Sequence, residues 1–579
     1  MTALDSALAN TRAHLLGLRN AAGHWEGELS SSALSTATAI VALHTVEPDR
    51  HSSAIGAGAA WLVGHQNADG GWGDTPLSKS NLSTTLLAWS ALRRVQPGAV
   101  PTLARAESWI RGHTDSLAPA ALARAVVARY GKDKTFSVPI LMLCAIGGTL
   151  GDHPWRHVLP LPFELAALPR TWFGAIGLPV VSYALPALIA IGHARFHHVP
   201  PAAWNPLLWL RALLWPRISP MLLELLPSSG GYLEATPLTS FVTMALATSG
   251  EKNHPCVEPA VAFLRRSMRA DGSWPIDTNL ATWGTTLAVK ALGDLESGAA
   301  TWLRGQQYQA VHPFTGAAPG GWAWTDLPGG VPDADDTPGA LIALHRAGPG
   351  HLDAPRAAAG VTWLLDLQNR DGGMPTFCRG WGTLPFDRST PELTAHALLA
   401  WHLWRDQLDP ALQAAIHEAT DRALAYLKRV RRANGSWIPL WFGNEHAHDE
   451  ENPVYGTAQV VAFLSGHPGL AAAADTEIRA GTAFLRNAQQ ADGGWGGDAG
   501  APASIEETAV ATHALALQAE AGAQAAARRG AGWLIAATRN GTVFPASPIG
   551  LYFARLWYHE KLYPVVFTLQ ALRAVQALG

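Results

Sequence analysis

The amino-acid sequence predicts an all-α protein built as two α-α barrel domains. Its 579 residues exceed what one hydrophobic core usually serves, because domains hold roughly 100–200 residues. A short Gly-Gly-aromatic repeat recurs along the chain, which indicates stacked structural units. Between the copies lie Ala- and Leu-rich segments with helical periodicity, such as 84–92, 394–404 and 508–517, whereas strand-like alternation is scarce. Helix pairs stacked in this way are predicted to close into barrels.

The composition favours a large apolar interior. Hydrophobic residues make up 48% of the chain and charged residues 15%, and the 24 Trp exceed what ordinary core filling needs. So many Trp indicate repeated structural anchors or an aromatic-lined cavity. The net charge of -3 gives no reason to expect nucleic acid as a partner. The three Cys, at positions 144, 256 and 378, match no zinc or redox motif.

The repeat has a physical logic that explains many of the Trp. One copy runs from Trp61 through Gln66 and an Asp-Gly-Gly turn to Trp72, and further copies occupy 363–374 and 484–495. The first aromatic is predicted near the end of a helix, where the Gln amide one turn later can bond free carbonyls. Asp-Gly-Gly then forms a tight turn because Gly tolerates positive φ. The final aromatic closes over the turn, so we predict that the repeat Trp are structural staples.

The spacing of the repeat predicts the domain limits. No strong copy occurs between Trp72 and Trp274, a region rich in Pro and apolar residues. We therefore predict an inserted barrel over residues 12–255 and a second barrel formed by residues 1–11 together with 256–579.

The segment 204–227 has the composition of an element that lies in a membrane interface. It combines Trp204, Trp209 and Trp215 with many Leu and two Arg, a mixture typical of interfacial helices. A buried helix pair is the alternative. No apolar run in the chain reaches the ~18 residues that a spanning helix needs.

Three carboxylates crowd into the stretch 333–337, which reads Asp-Ala-Asp-Asp-Thr and precedes an apolar run. Taken alone, this pattern is typical of a solvated acidic turn or a helix N-cap, and a divalent-cation loop is a further alternative. Its context favours another interpretation, because it follows Gly-Gly-Trp-Ala-Trp at 320–324 in a chain with few charges. Like charges and burial raise a carboxyl pKa, so one of these groups can hold its proton at neutral pH.

A candidate helper lies in the stretch 392–396, which reads Glu-Leu-Thr-Ala-His. Glu392 precedes His396 by one helical turn and would hold its imidazole as a cation. An imidazolium bonded to one oxygen of Asp335 would make the proton on the other oxygen more acidic. The alternative is that His396 is an ordinary packed histidine.

Together these residues resemble the squalene–hopene cyclase and oxidosqualene cyclase family of class II terpene cyclases. The repeat is similar to the family's glutamine–tryptophan motif, and the run 320–337 resembles its catalytic segment. The stretch 394–396 resembles the site of its activating histidine. Segments 81–86, 152–165 and 541–545 are similar to other parts of the family, so the resemblance covers nearly the whole chain.

The resemblance implies polycyclisation of a linear isoprenoid in an apolar cavity flanked by two α-α barrels, with no metal and no organic cofactor. It implies Asp335 as the proton donor, tuned by Asp333 and Asp336 and assisted by His396. It also implies peripheral or monotopic attachment to a membrane, which we expect on the cytoplasmic side. The assembly stays open between a monomer and a homodimer. The aromatic residues that would stabilise cationic intermediates through their ring faces are Trp324, Phe377, Trp441, Phe544, Tyr552, Tyr183 and Trp283.

The far end of the cavity departs from the hopene-forming pattern. In hopene-forming members, carboxylates near the N-terminal repeats help to order water where the reaction ends, and here those positions are Thr36 and Leu87. Pro548 stands where an aromatic is often found. The start of the reaction therefore follows the family pattern, whereas substrate and product stay open.

Three functions remain open on the sequence. The first is cyclisation of squalene or a squalene-like triterpene. The second is cyclisation of another prenyl chain, either a diterpene diphosphate or a prenylated aromatic; a diphosphate needs a basic patch, often with Mg²⁺, and no Lys/Arg cluster stands near the proposed site. The third is non-catalytic binding of lipids by a helical-repeat protein. A protein prenyltransferase subunit is a distant option, because no zinc constellation of Asp, Cys and His stands out.

Overall fold

Helices make up almost all of the regular structure, which confirms the all-α prediction. The computed structural model describes residues 2–131, 134–169, 172, 185–293, 297–313, 315–348, 350–377, 379, 386–550 and 555–579. Within these residues the only sheet pairs two dipeptide strands antiparallel, β1 (Ser31–Ser32) with β2 (Trp274–Pro275). Short 3₁₀ turns occupy Pro154–Arg156, Phe163–Ala167, Tyr232–Glu234, Arg405–Gln407 and His448–Glu450.

The described helices are α1 (Ala3–Gly17), α2 (Ala33–Val46), α3 (Ser52–Gly64), α4 (Leu82–Val95), α5 (Val100–His113), α6 (Pro119–Tyr130), α7 (Lys134–Ile146), α8 (Leu185–His198), α9 (Pro206–Ile218), α10 (Pro220–Glu224), α11 (Thr236–Thr248), α12 (Val257–Ser267), α13 (Ala281–Leu292), α14 (Ser297–Gly305), α15 (Asp336–Ala347), α16 (Ala354–Leu367), α17 (Pro391–Trp404), α18 (Pro410–Val430), α19 (Pro453–Leu464), α20 (Pro468–Ala473), α21 (Asp475–Ala488), α22 (Ile505–Ala516), α23 (Ala521–Ala537) and α24 (Tyr563–Gln576).

The first barrel has an inner ring in which α2, α4, α7, α8 and α11 contact one another in turn and α11 returns to α2. Residues 33–43 of α2 and 83–92 of α4 are buried on every face, so these helices are apolar or rich in Thr and Ala all round. Outer helices are amphipathic instead: α12 buries one face and exposes Arg265 and Arg266.

The second barrel has a closed inner ring of α13, α15, α17, α19, α22 and α24. Around it, α1, α14, α16, α18, α21 and α23 each pack on an inner helix. These two rings confirm the predicted pair of α-α barrels. The N-terminal ends of α13, α15 and α24 face a common cavity, because Trp283, Asp336 and Tyr563 all line it.

The chain enters and leaves the first barrel side by side, where β1 pairs with β2. Leu15, Trp25 and Leu29 belong to the core of the second barrel, whereas Val257 and Trp274 belong to the core of the first. The predicted limits at 12 and 255 stay predictions, and core membership favours limits closer to the β1–β2 pair. Repeat spacing did not place them there, because the Trp25 and Trp274 copies close against different barrels.

The repeat aromatics act as staples, as predicted. The indole Nε1–H of Trp72 donates to the Leu62 carbonyl at 2.8 Å, ten residues earlier, and the indoles of Trp437 and Trp495 make the same bond. The backbone N–H of each of these Trp donates to a Thr hydroxyl at the start of the next inner helix. Each copy therefore fixes where an inner helix begins.

Segment 204–227 forms α9 and α10 and exposes a large apolar surface. Trp204 is 84% exposed, Trp209 69% and Leu213 77%. Trp172, which precedes this segment, is also exposed, at 61%. Arg211 turns back to pair with Glu164 at 2.9 Å. The alternative of a buried helix pair is therefore wrong for these side chains. Across the residues that the structure describes, each helix is too short or too polar to pass through a bilayer.

Candidate active site

A cavity of about 330 Å³ lies where the two barrels meet. This volume is within the range of sites that bind organic ligands. Its wall is mostly apolar, and residues of both barrels contribute to it. The first barrel supplies Leu34, Leu87, Phe136, Ile140 and Phe241, and the second supplies Trp283, Trp324, Asp335, Phe377, Trp441 and Tyr563, among others.

Asp335 stands at the start of α15 with its carboxyl facing the cavity. Its side chain is 23% accessible, and its Oδ1 lies 2.8 Å from Nδ1 of His396, which is fully buried. Burial raises the Asp335 pKa to about 7, and the positive charge of Lys290 opposes this rise. The carboxyl makes no cap hydrogen bond to the helix. It can therefore carry a proton into the cavity on one oxygen while His396 binds the other.

Asp333 performs the capping role that the acidic motif taken alone would predict. Its Oδ1 accepts the backbone N–H groups of Asp335 at 2.8 Å and of Asp336 at 2.7 Å. Burial raises the Asp333 pKa to about 7 against the lowering effect of these two bonds. Asp335 is the N-cap residue of α15, but the Asp333 carboxyl, two residues earlier, accepts the first amides, so the Asp335 carboxyl is not used as a cap.

Two further contacts complete the acidic segment. Burial and the neighbouring carboxylates raise the pKa of Asp336 well above its ordinary value. Thr337 accepts the backbone N–H of Trp322 at 3.0 Å, in the same way as the Thr of the other repeats. The repeat staple thereby positions Asp335, because it fixes the first turn of α15.

The structure corrects the predicted role of Glu392. Its Oε1 accepts the backbone N–H of Leu440 at 2.9 Å and its Oε2 accepts the hydroxyl of Thr390, so Glu392 does not pair with His396. Burial raises the Glu392 pKa to about 7. One helical turn separates the two residues in sequence, but the carboxyl turns toward the neighbouring loop, whose N–H needs an acceptor.

The surroundings of His396 disfavour the imidazolium that the sequence predicted. Burial and the positive charges of Lys290 and Arg346 hold its pKa well below the ordinary value. Its ring stacks on Phe463 with centroids 4.3 Å apart, and its buried Nε2 has no hydrogen-bond partner. Neutral His396 can still donate its Nδ1–H to Asp335, which is the contact that the sequence predicted between these two residues.

Four of the predicted aromatics line the cavity. Trp324 and Phe377 meet edge to face at 6.0 Å, and Phe377 and Trp441 do so at 5.8 Å. The Trp441 indole donates to Thr376 at 2.9 Å, which fixes its ring. Trp283 forms another part of the wall and donates to the Tyr563 hydroxyl at 3.1 Å. Ring faces arranged in this way stabilise positive charge without offering a nucleophile.

The remaining predicted aromatics divide into two cases. Phe544 does not line the described cavity: it is half-buried and packs 4.9 Å from His14 of α1. It is the closing aromatic of a repeat copy, so its environment is a packing contact rather than a substrate wall. Tyr183 and Tyr552 lie outside the described residues.

Comparison with known proteins identifies the family. Residues 8–184 match the squalene–hopene cyclase N-terminal domain, and residues 281–577 match the squalene–hopene cyclase C-terminal domain. The chain belongs to the squalene–hopene cyclase family. This family consists of class II terpene cyclases, and the match spans both barrels.

Individual relatives of this squalene–hopene cyclase family member differ in size and in the activity for which they are named. A terpene cyclase–glycosyl transferase fusion protein of Humicola fuscoatra is 26% identical over 82% of this chain, which spans 41% of the fungal protein's length. A drimenyl diphosphate synthase of Streptantibioticus cattleyicolor is 32% identical over 42% of this chain and 44% of its own. The structure of ent-copalyl diphosphate synthase from Streptomyces platensis covers 99% of this chain and 100% of its own, with 18% identity and a TM-score of 0.58, and shows the shared fold.

The part of the cavity wall that the first barrel supplies in this family member is mostly apolar but includes a buried acid. Leu87 lines it, as the departure at that position predicted, while the Thr36 hydroxyl donates to backbone within its own helix. Asp74 also lines it, and its carboxyl accepts hydrogen bonds from Asn81 at 2.8 Å and from the backbone of Trp557 at 2.7 Å. Burial raises the Asp74 pKa. Sequence reasoning missed this residue, although it stands two positions after a repeat Trp.

Lys290 is a second residue that sequence reasoning missed. It is 8% exposed on α13, in an otherwise apolar helix, and it is the charge that acts on Asp335. A lone Lys seven residues after Trp283, and therefore on the same helical face, was the available signal.

Proposed function

We propose that this family member protonates the terminal alkene of a linear isoprenoid with Asp335 and cyclises the chain inside the cavity, with squalene or a squalene-like triterpene as the substrate. The observation that carries the proposal is the carboxyl of Asp335, protonated near neutral pH, at the polar end of an aromatic-lined apolar cavity.

The first step moves the Asp335 proton to one alkene carbon. The π electrons form the new C–H bond, the other alkene carbon becomes a tertiary cation, and Asp335 is left as a carboxylate. His396 Nδ1–H, 2.8 Å from Oδ1, stabilises that carboxylate. Each later double bond attacks the preceding cation, and the faces of Trp324, Phe377 and Trp441 stabilise the charge. Loss of a proton or capture of water ends the reaction.

The charges near the far end of the cavity favour an uncharged substrate over a prenyl diphosphate. Arg555 lines the cavity, and Arg129 lies near it, but both guanidiniums are engaged by Glu450, at 3.5 and 2.7 Å. Asp74 adds a further acid on this side. A diphosphate carries more than one negative charge and would have to displace Glu450 from both arginines.

The diphosphate alternative rests on the relative named drimenyl diphosphate synthase, which resembles part of this chain. In that alternative the reaction would start in the same way, with protonation of an alkene by Asp335. Lipid binding without catalysis also uses the cavity, but it requires no acid.

Product formation from a panel of substrates tests the proposal. The purified protein is incubated with squalene, oxidosqualene and C20–C35 prenyl alcohols and diphosphates, the diphosphates with and without Mg²⁺, and the hydrocarbons and alcohols formed are identified by mass spectrometry. Cyclic products from squalene that disappear in Asp335→Asn support the proposal.

Two outcomes would overturn it in different ways. Cyclic products from a diphosphate alone would replace the substrate and keep the acid. Equal products from the parent and Asp335→Asn would remove Asp335 as the acid, and no product from either would leave lipid binding as the function. Asp326→Asn serves as the matched control, because Asp326 is an exposed carboxylate on the same segment.

We also propose that the exposed apolar surface of α9 and α10 attaches the protein peripherally to a membrane. Trp204, Trp209 and Leu213 project there, a composition typical of interfacial helices. Liposome flotation tests this: the parent should rise with the vesicles, and a Trp204→Ser, Trp209→Ser, Leu213→Ser triple variant should not. If parent and variant both stay in the dense fraction, this surface has another role.

A further inference from the structure

A second cavity of about 220 Å³ lies inside the inner ring of the second barrel, behind Asp335. Lys290 lines this cavity, and only 8% of its surface is exposed. Its ammonium lies 5.4 Å from the ring centre of Trp283 and 5.8 Å from that of Phe463. Among the described residues, no carboxylate oxygen lies within 4 Å of this nitrogen and no group hydrogen-bonds to it. Burial lowers the Lys290 pKa to about 8, so the ammonium is still charged at neutral pH, and it shares this cavity with Asp335 without an ion pair.

The charged and titratable groups around Lys290 come from several inner helices. Asp335 and Asp336 stand at one end of α15 and Arg346 at its other end. From the neighbouring helices, the groups that face it or share its cavity are Glu392 and His396 on α17, Tyr455 on α19 and His513 on α22.

The geometry of His396 excludes it as the cation that assists Asp335. An imidazolium carries two N–H donors, and the buried Nε2 of His396 has no acceptor. An unsatisfied buried donor on a charged ring costs more than an unsatisfied lone pair on a neutral one. Glu392, the carboxylate expected to hold that charge, is bound to Leu440 and Thr390 instead.

We propose that Lys290 is a positioning residue for the proton transfer: its ammonium supplies the positive charge that stabilises the Asp335 carboxylate once the proton has gone to the alkene, while neutral His396 supplies the hydrogen bond. This rests on the proposed function of Asp335. These separate roles have a physical reason. A cation that shares a low-dielectric cavity with the carboxylate, but makes no ion pair with it, stabilises the negative charge without keeping Asp335 ionised in the resting state.

The test compares pH–rate profiles of three variants with the parent. Lys290→Met removes the charge and keeps the side-chain length, Lys290→Arg keeps the charge, and Arg346→Gln removes the other cation of the same cavity. Activity falls as pH rises, because Asp335 must be protonated. Without the Lys290 charge, which lowers the Asp335 pKa, Asp335 should hold its proton to higher pH. A nearby opposite charge lowers a carboxyl pKa by about one unit or more.

We expect the falling limb of Lys290→Met to move about one unit to higher pH and its maximal turnover to drop about tenfold, since one pKa unit is a factor of ten. Lys290→Arg should keep the parent limb, and Arg346→Gln should move it far less than Lys290→Met. An unmoved limb in Lys290→Met, or equal movement in Lys290→Met and Arg346→Gln, would overturn the role of Lys290. Circular dichroism confirms that each variant is folded.

A measurement without turnover separates this inference from the proposed function. The infrared C=O band of protonated Asp335 is titrated with pH in the absence of substrate, in the parent and in Lys290→Met. The band is obtained by subtracting the spectrum of the same protein that also carries Asp335→Asn. The Lys290→Met titration should lie at higher pH than the parent titration even if no substrate is converted. Identical titrations would refute the inference even in an active enzyme.

Discussion

Replacing Asp335 with Asn should stabilise the folded protein at pH 8 and leave its stability nearly unchanged at pH 4. The folded chain keeps the Asp335 proton up to about pH 7, whereas an unfolded chain loses it near pH 3.8. Between these values folding takes up a proton, so the stability of the parent falls as pH rises through this window. Asn has no proton to lose, and the variant escapes that loss.

The size of the effect follows from the pKa. A rise from 3.8 to about 7 corresponds to about 4 kcal/mol, at 1.36 kcal/mol for each pH unit. The side chain is 23% accessible at the cavity, and Asp333 and Asp336 share the same site, so we expect about 2 kcal/mol of added stability at pH 8. Asn can still accept the Nδ1–H of His396, which keeps that contact.

Urea denaturation at pH 4, 5, 6, 7 and 8 measures the prediction, with the exposed Asp326→Asn as the control. The difference between Asp335→Asn and the parent should grow from pH 4 to about pH 7 and then level off, while the control difference stays flat. A difference independent of pH, or a variant less stable than the parent at pH 8, would refute the view that the fold holds Asp335 protonated.

Three further predictions concern the reaction and the repeats. Product formation from squalene by the parent should fall about tenfold per pH unit above roughly pH 7, because Asp335 ionises there. With the same substrate, His396→Ala should lower turnover about 100-fold, because the Asp335 carboxylate loses its hydrogen-bond donor. Mass spectrometry should show that Trp441→Ala releases products with fewer rings than the parent product, whereas Trp441→Phe keeps the parent product. If both variants give the same products, Trp441 does not take part in the cavity chemistry. Trp495→Phe should cost about 1–3 kcal/mol in urea denaturation because a buried carbonyl loses its donor, whereas Trp533→Phe, whose indole bonds an exposed Asp, should cost less.

Local features of this chain could be predicted because each is written within one or two helical turns. The staple from Trp72 to Leu62 joins residues ten positions apart, and the carboxyl that caps the helix belongs to Asp333, two positions from the acid. The buried inner helices follow from segments that are apolar all round. The approach of His396 to Asp335, 61 positions apart, was proposed from the stretch 392–396 and supported by the family resemblance, because periodicity alone also fits an ordinary packed histidine.

The sequence by itself determined the helical repeats, the two barrels and the acid at the head of α15, because short-range spacing and hydrophobic periodicity specify these features. Only the tertiary structure decided which charges surround that acid. Lys290, Asp335 and His396 come from three different inner helices, and the direction of Glu392 depends on the loop that contains Leu440. Electrostatic energy depends on distances and burial in three dimensions, so the identity of the assisting cation could not be read from a motif.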